Sequence, residues 1–170
     1  AVESWHKALK NVAHREGTRV DIADVELVEV ASRERADDLV EALVGVWRAS
    51  VDATHGFLAA GEADKIAKYV PQVILGIERL VVARASGPDG ESLVGFMGAQ
   101  DGCLEMLFLA PEVRGCGFGA SMLNYGIERL GVRELTVNEE NPAALGFYEH
   151  MGFAIYARGE KDDQGGDHPI

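Results

Sequence analysis

The sequence predicts a mixed α/β domain, and three observations carry that expectation. Short strand-like apolar runs and segments of helical period take turns along most of the chain. The stretch from Leu104 to Ile127 reads as a buried strand, a glycine-rich turn and a helix. With 170 residues, 47% of them hydrophobic, the chain is long enough for one domain with a full core.

In the central stretch Leu104, Met106 and Phe108 are expected on one face of the strand. Glu105, Leu107 and Leu109 fall on the other. Pro111 has no N–H for a ladder and stops the strand. Arg114-Gly115-Cys116-Gly117-Phe118-Gly119 follows, then apolar residues of helical period at Met122, Leu123, Ile127 and Leu130. Glycines allow a tight turn and a close approach by a ligand. The first N–H groups of the helix lack intrahelical partners, so with the helix dipole they suit a phosphate or pyrophosphate. Gly115-x-Gly117-x-x-Ala120 fits the dinucleotide fingerprint, with Glu139 about where a ribose-binding acid would stand. That fingerprint wants the strand to run into the first glycine, whereas residues 111–114 intervene.

Residues 4–16 have the pattern of a short amphipathic helix, and 19–24 of a polar link. Val25 to Val30 reads as a strand. Ser32 is a candidate cap for a helix burying Leu39, Val40, Leu43, Val46 and Trp47. Residues 51–64 are a break or a second helix start. Ile66, Tyr69, Val70, Val73 and Ile74 continue helically, with Pro71 dividing or kinking the segment. Strands are expected over 79–85 and 93–100, with a turn at 87–90, and Asp101-Gly102 is a two-residue hairpin signal. Gly131 is a C-cap candidate, and 134–138 is a strand. Asn141-Pro142 starts a helix that ends at Gly152, and 153–158 is a further strand.

Composition narrows the functions. A net charge of −12 argues against nucleic acid, whose affinity rests largely on phosphate neutralisation, and is compatible with a cationic amine. No run approaches the length of a membrane span and no signal-peptide pattern opens the chain, so a cytoplasmic protein without a membrane partner is expected. Cys103 and Cys116 form no disulfide framework, and with the five scattered histidines they make no metal-site spacing, so no metal is expected. Cys103 reads as a small core residue. Cys116 sits at a helix start that can lower a thiol pKa, but beside a pyrophosphate site it would be far from any acyl group.

The stretch 138–153, NEENPAALGFYEHMGF, adds a second signature. Asn141, Ala144, Tyr148, Gly152 and Phe153 stand in the register Asn-x-x-Ala-x-x-x-Tyr-x-x-x-Gly-Phe. Arg114, Gly117 and Gly119 stand in Arg-x-x-Gly-x-Gly after a strand ending near proline. Together they resemble the GNAT superfamily of N-acetyltransferases over roughly residues 25–160. VWRASVDATHGFL at 46–58 is similar to a small bacterial single-domain subgroup. The implied division is an N-terminal extension, 1–24, and a GNAT domain, 25–170. The implied fold is a mostly antiparallel mixed sheet with a splayed central strand pair and helices on both faces.

The resemblance implies acetyl-CoA as co-substrate and an amine acceptor, a small molecule or a peptide. It places the pantetheine arm along Phe108 and Leu109. The pyrophosphate falls on the N–H groups of Arg114, Gly115, Cys116, Gly117, Phe118, Gly119 and Ala120. Asn141 is a candidate to bond the arm, with N-capping as the competing role. Tyr148 matches the usual general acid, which serves the departing thiolate. Glu105 matches a strand position where some members hold the general base, and its apolar neighbours Leu104 and Met106 invite a raised pKa. His55 is a second base candidate, because the early helices line the acceptor side. Direct attack in a ternary complex is the implied route. The alternative is a non-catalytic acyl-CoA-binding or interaction protein on the same fold. Dimers are frequent among similar proteins, so a homodimer is an open expectation.

Similar folds place a last strand between the 134–138 and 153–158 strands. KDDQGGDHPI supplies only a hairpin before Ile170. Three sources are expected for that strand: a longer polypeptide, favoured here, a second copy, or Thr18 to Ile22.

Overall fold

The structure, a computed structural model, describes residues 24–160. The readings for 4–16, for 18–22, for the polar link before Asp24 and for the hairpin after Glu160 lie outside the described residues. Strand β1 (Val25–Glu29) is followed by a single 3-10 turn at Ser32–Glu34. Three helices come next: α1 (Asp37–Thr54), α2 (Glu62–Ala67) and α3 (Val70–Gly76). Then β2 (Arg79–Gly87), β3 (Gly90–Gln100) and β4 (Cys103–Leu109) form a meander. Helix α4 (Phe118–Arg129), the short β5 (Glu134–Leu135) and α5 (Pro142–His150) complete the described elements.

The sheet order is β1-β2-β3-β4-β5, antiparallel except for the parallel β4–β5 pair. The hairpins form where the turn residues require them. Asp101 (φ 51°) and Gly102 (φ 80°) both lie in the left-handed region, as a type I′ turn demands. One face of the sheet packs Leu80, Val82, Leu93 and Phe96 against Leu43, Val46, Trp47 and Ile74 of α1 and α3. The other packs Val81, Val94 and Met97 against Met122 and Leu123 of α4, with Phe147 and Tyr148 of α5 at its border. This gives the expected mixed α/β architecture with helices on both faces.

Several local expectations need correction. Ser32 caps no helix. It opens the 3-10 turn, and α1 begins five residues later behind Ala36, without a side-chain cap. The reason is tertiary. The buried Arg35 guanidinium donates to the carbonyls of Val30, Ile74, Ile77 and Glu78, and this staple holds 30–35 out of the helix. Helix α1 runs through Thr54, so the break falls at 55–61, and Pro71 starts α3 in its first turn. The helical reading holds for Val70, Val73 and Ile74, with Tyr69 just before α3; Val70 and Ile74 are buried, and Tyr69 and Val73 are exposed.

The alternation in β4 is also broken. Gly98 pairs with Met106 and Ala99 with Leu104, so Glu105 is the extra residue of a β-bulge. Leu104 consequently joins the α4 side while Met106 and Phe108 join the α1 side. Cys103 is half-buried at the hairpin end, not a core residue. The 134–138 strand pairs only through Glu134 and Leu135, and 153–158 has no assigned ladder. A cavity of about 1120 Å³ is lined by both segments, and no ladder joins one to the other. Tyr156 and Arg158 reach across it to Glu134 and Glu139.

Candidate active site

The site starts from the divergence of β4 and β5. Their pairing ends at Leu104↔Leu135, while β4 continues to Leu109. Beyond the bulge the β5-facing edge of β4 therefore has no strand neighbour among the described residues, and its peptide groups can pair with an extended amide-bearing chain. Phe108 and Leu109, the residues expected to do this, are half-buried there. Phe108 rests on Phe96 at 5.6 Å between ring centroids.

Pro111–Val113 turns the chain, and Gly115 (φ 71°) and Gly117 (φ 80°) carry it into α4 in left-handed conformations that only glycine adopts readily. No atom lies within 4 Å of where a Cβ would stand on either, so the outer side of the turn is open. The first intrahelical bond runs from the Ser121 N–H to the Gly117 carbonyl. The N–H groups of Phe118, Gly119 and Ala120 precede it and have no helical acceptor. An open glycine turn with free helix N–H groups suits a pyrophosphate. The Cys116 thiol contacts the Arg114 carbonyl at 3.6 Å within this turn. Gly119 is tight: a Cβ there would lie 3.3 Å from Leu109 Cδ1 and 3.5 Å from Phe147 Cζ, which joins α4, β4 and α5.

The Arg114 side chain turns away from the open side. Its Nη2 donates to Ser50 Oγ at 2.7 Å, the Ser50 carbonyl at 3.1 Å and the Leu109 carbonyl at 3.3 Å. It therefore fastens the end of α1 to the end of β4. His55, just past α1, lies within reach of this cation. Its pKa is held below the ordinary value, first by burial and then by the Arg114 charge. Its Nδ1 is 2.8 Å from Thr54 Oγ1 and its ring packs on Phe57 at 5.2 Å.

Glu105 stands apart from these groups. The bulge turns it out to solvent instead of enclosing it between Leu104 and Met106. Asn141 Oδ1 accepts the Ala144 N–H at 3.1 Å, so the capping role is filled and the side-chain NH₂ is left as donor. Tyr148 packs between Phe147 and Phe153, and burial pushes its pKa up to about 12. It lines the cavity beside β5, whose walls do not include Glu105, His55 or Arg114. The structure thus joins Arg114, His55, Leu109 and the glycine turn, and sets Tyr148 on a separate wall. Sequence reasoning missed Ser50 and Thr54; their signal was two hydroxyls at a four-residue spacing just before His55.

The structure is thus a mixed α/β domain whose sheet splays beside a glycine turn that opens a helix. The chain belongs to the GNAT acetyltransferase family: the family's model, described as an acetyltransferase (GNAT) domain, matches residues 36–155. It is 35% identical over 134 residues to the peptidyl-lysine N-acetyltransferase YjaB of Escherichia coli strain K12, covering 76% of this chain and 86% of that protein. The same protein from Salmonella typhimurium is 34% identical, with 76% and 87% covered. The solution structure of apo YjaB from Escherichia coli superposes with a TM-score of 0.69 at 33% identity, covering 85% of this chain and 92% of that one. The PaiA N-acetyltransferase of Thermoplasma acidophilum, in complex with coenzyme A, shares the fold with a TM-score of 0.62 at 21% identity, over 85% and 96%. The chain is an acetyltransferase by family. Among the described residues no helix is long and apolar enough to cross a membrane.

Proposed function

We propose that this chain transfers the acetyl group of acetyl-CoA to the primary amine of a peptidyl lysine by direct attack in a ternary complex. The observation that carries the reading is the free edge of β4 running into the open turn at Gly115 and Gly117. The edge beside Phe108 and Leu109 pairs the pantetheine amides, the N–H groups of 114–120 hold the pyrophosphate, and the Asn141 NH₂ donates to the arm. The lysine class rests on the similarity to the two YjaB proteins.

Acetyl-CoA brings a thioester whose carbonyl carbon accepts the attacking nitrogen. Tyr148, with its pKa raised to about 12, stays protonated at neutral pH and gives its proton to the departing sulfur. Two groups are candidates to take the proton from the nitrogen, the exposed Glu105 and the half-buried His55. Acetyl-CoA turnover on a panel of lysine peptides, polyamines and small amines, followed by thiol release, tests the reading. Lysine peptides should be acetylated, and Tyr148→Phe should lower kcat by about 10²–10⁴ with acetyl-CoA affinity kept. Tight acetyl-CoA binding with no turnover on any amine would instead favour a non-catalytic acyl-CoA-binding protein.

A further inference from the structure

The end of α1 carries a short hydrogen-bond chain whose direction is decided by counting hydrogens. Thr54 Oγ1 is 2.8 Å from the Ser50 carbonyl and 2.8 Å from His55 Nδ1. A hydroxyl has one hydrogen. The carbonyl has none, so the first contact is a bond only if Thr54 donates to it. The second is then a bond only if Nδ1 carries the hydrogen and Thr54 accepts it. Both contacts are satisfied in one arrangement alone: His55 Nδ1–H to Thr54 Oγ1, and Thr54 Oγ1–H to the Ser50 carbonyl. In the neutral ring the lone pair is then at Nε2, on the side of the imidazole away from the helix end.

The backbone around the ring is held as well. The His55 N–H donates to the Val51 carbonyl at 2.8 Å, and the Leu58 N–H donates to the His55 carbonyl at 3.1 Å. Arg114 links the same Ser50 to Leu109, so this imidazole sits at the end of β4 that β5 has left. Glu105 is four residues back along β4, about 13 Å at the strand rise, on the solvent-exposed bulge.

We infer that His55 is the general base of the acetyl transfer, acting through Nε2, and that Thr54 is the positioning residue that sets its tautomer. The inference rests on the acetyltransferase reading above. Removing a proton from a free lysine ammonium, pKa about 10.4, is steeply uphill for an imidazole. The nitrogen therefore attacks as the neutral amine, its ammonium proton having gone to bulk water; one of its two remaining N–H protons becomes acidic as the nitrogen bonds to the carbonyl carbon, and Nε2 takes that one. The nitrogen's electron pair forms the C–N bond, the C–S bond breaks, and its electrons go to sulfur, which is protonated by Tyr148. The resulting imidazolium gives its proton to water, and the Tyr148 phenolate takes one back from water, so both groups return to their starting states. Burial and the Arg114 cation favour the ring's return, since both disfavour its charged form. Among the other charges on the neighbouring elements, Arg48 is paired with Asp52 and Asp64 across α1 and α2, Glu62 accepts the Ala59 N–H, Lys65 is exposed, Glu112 acts on Arg114, and Asp37, Asp38 and Glu41 lie in the first turns of α1, at its far end.

The test combines nitrogen NMR of the ¹⁵N-histidine-labelled chain with kinetics on lysine peptides, using His55→Gln, Thr54→Val and Thr54→Ser. Long-range spectra, with the His55 signals assigned by their loss in His55→Gln, should show a protonated Nδ1 and a bare Nε2 in the neutral ring. Thr54→Val should mix the tautomers and lower kcat, and Thr54→Ser should restore both. His55→Gln should lower kcat by about 10²–10⁴ and abolish its acid limb, with acetyl-CoA affinity kept. A bare Nδ1 in the parent, or a His55→Gln enzyme with parental kcat and pH profile, overturns the inference. Should His55→Gln not fold, parental kcat in Thr54→Val with an unchanged tautomer overturns the positioning role. If the parent acetylates no amine, the underlying function falls and the base with it, while a protonated Nδ1 would still stand as a property of the ring.

Discussion

Replacing Arg114 by methionine keeps most of the apolar stem and removes the guanidinium that ties α1 to β4. Three contacts converge on one Nη2, at 2.7, 3.1 and 3.3 Å. That nitrogen carries two hydrogens, so the three contacts share about two bonds. Hydrogen bonds from a charged donor contribute about 1.5–3 kcal/mol each. Partial exposure and the desolvation cost of the cation, which lowers its own pKa, reduce the sum. A net loss of about 2–4 kcal/mol is expected. For a chain of this size 1 kcal/mol moves Tm by about 2–4 °C, so the midpoint should fall by roughly 4–16 °C. A second readout isolates the site from the fold. Without the cation the His55 pKa should rise toward its ordinary value but not reach it, because burial is the larger cause of its depression. Thermal unfolding and an NMR titration of His55 measure the two effects. A Tm within a degree of the parent, together with an unchanged His55 titration, would refute the clamp.

Three further outcomes follow from the same geometry. Gly117→Val forces a branched side chain onto φ 80° at the mouth of the turn, and acetyl-CoA affinity by calorimetry should fall sharply; parental affinity would move the pyrophosphate elsewhere. Gly95→Ala sets a Cβ 3.0 Å from the Phe108 carbonyl and 2.8 Å from Leu109 Cδ2, so urea unfolding should show a loss of about 1–3 kcal/mol, and an unchanged midpoint would mean that the β3–β4 contact is looser than drawn. The depressed His55 pKa makes its contribution to stability complete above the unfolded value near 6.5 and lost as pH falls through the folded value. Measured against His55→Gln, the parent should therefore lose stability on acidification below about pH 6.5, and parallel curves would show that the ring titrates normally.

Much of this protein was settled by local physics. The strand, the proline stop, the left-handed glycines and the α4 start follow from residues 104–123, because a proline and glycines at those spacings leave the backbone few conformations. The same holds for the Asp101-Gly102 hairpin, the Asn141 cap and the proline that opens α3. The family signature lay in the same short-range spacings, since a phosphate-binding turn is built from neighbours in sequence. What required the tertiary structure was every feature made by residues far apart. Arg35 delayed α1 through carbonyls 39–43 residues away, and that pull outweighed the capping preference of Ser32. The bulge at Glu105 came from register against β3, and no periodicity within β4 could reveal it. Segment 153–158 had the right composition but pairs with no strand among the described residues, and a strand exists only by pairing. His55 was legible as a histidine near the acceptor side. Its tautomer and its cationic neighbour were not, because Ser50 reaches Arg114 across 64 residues of chain.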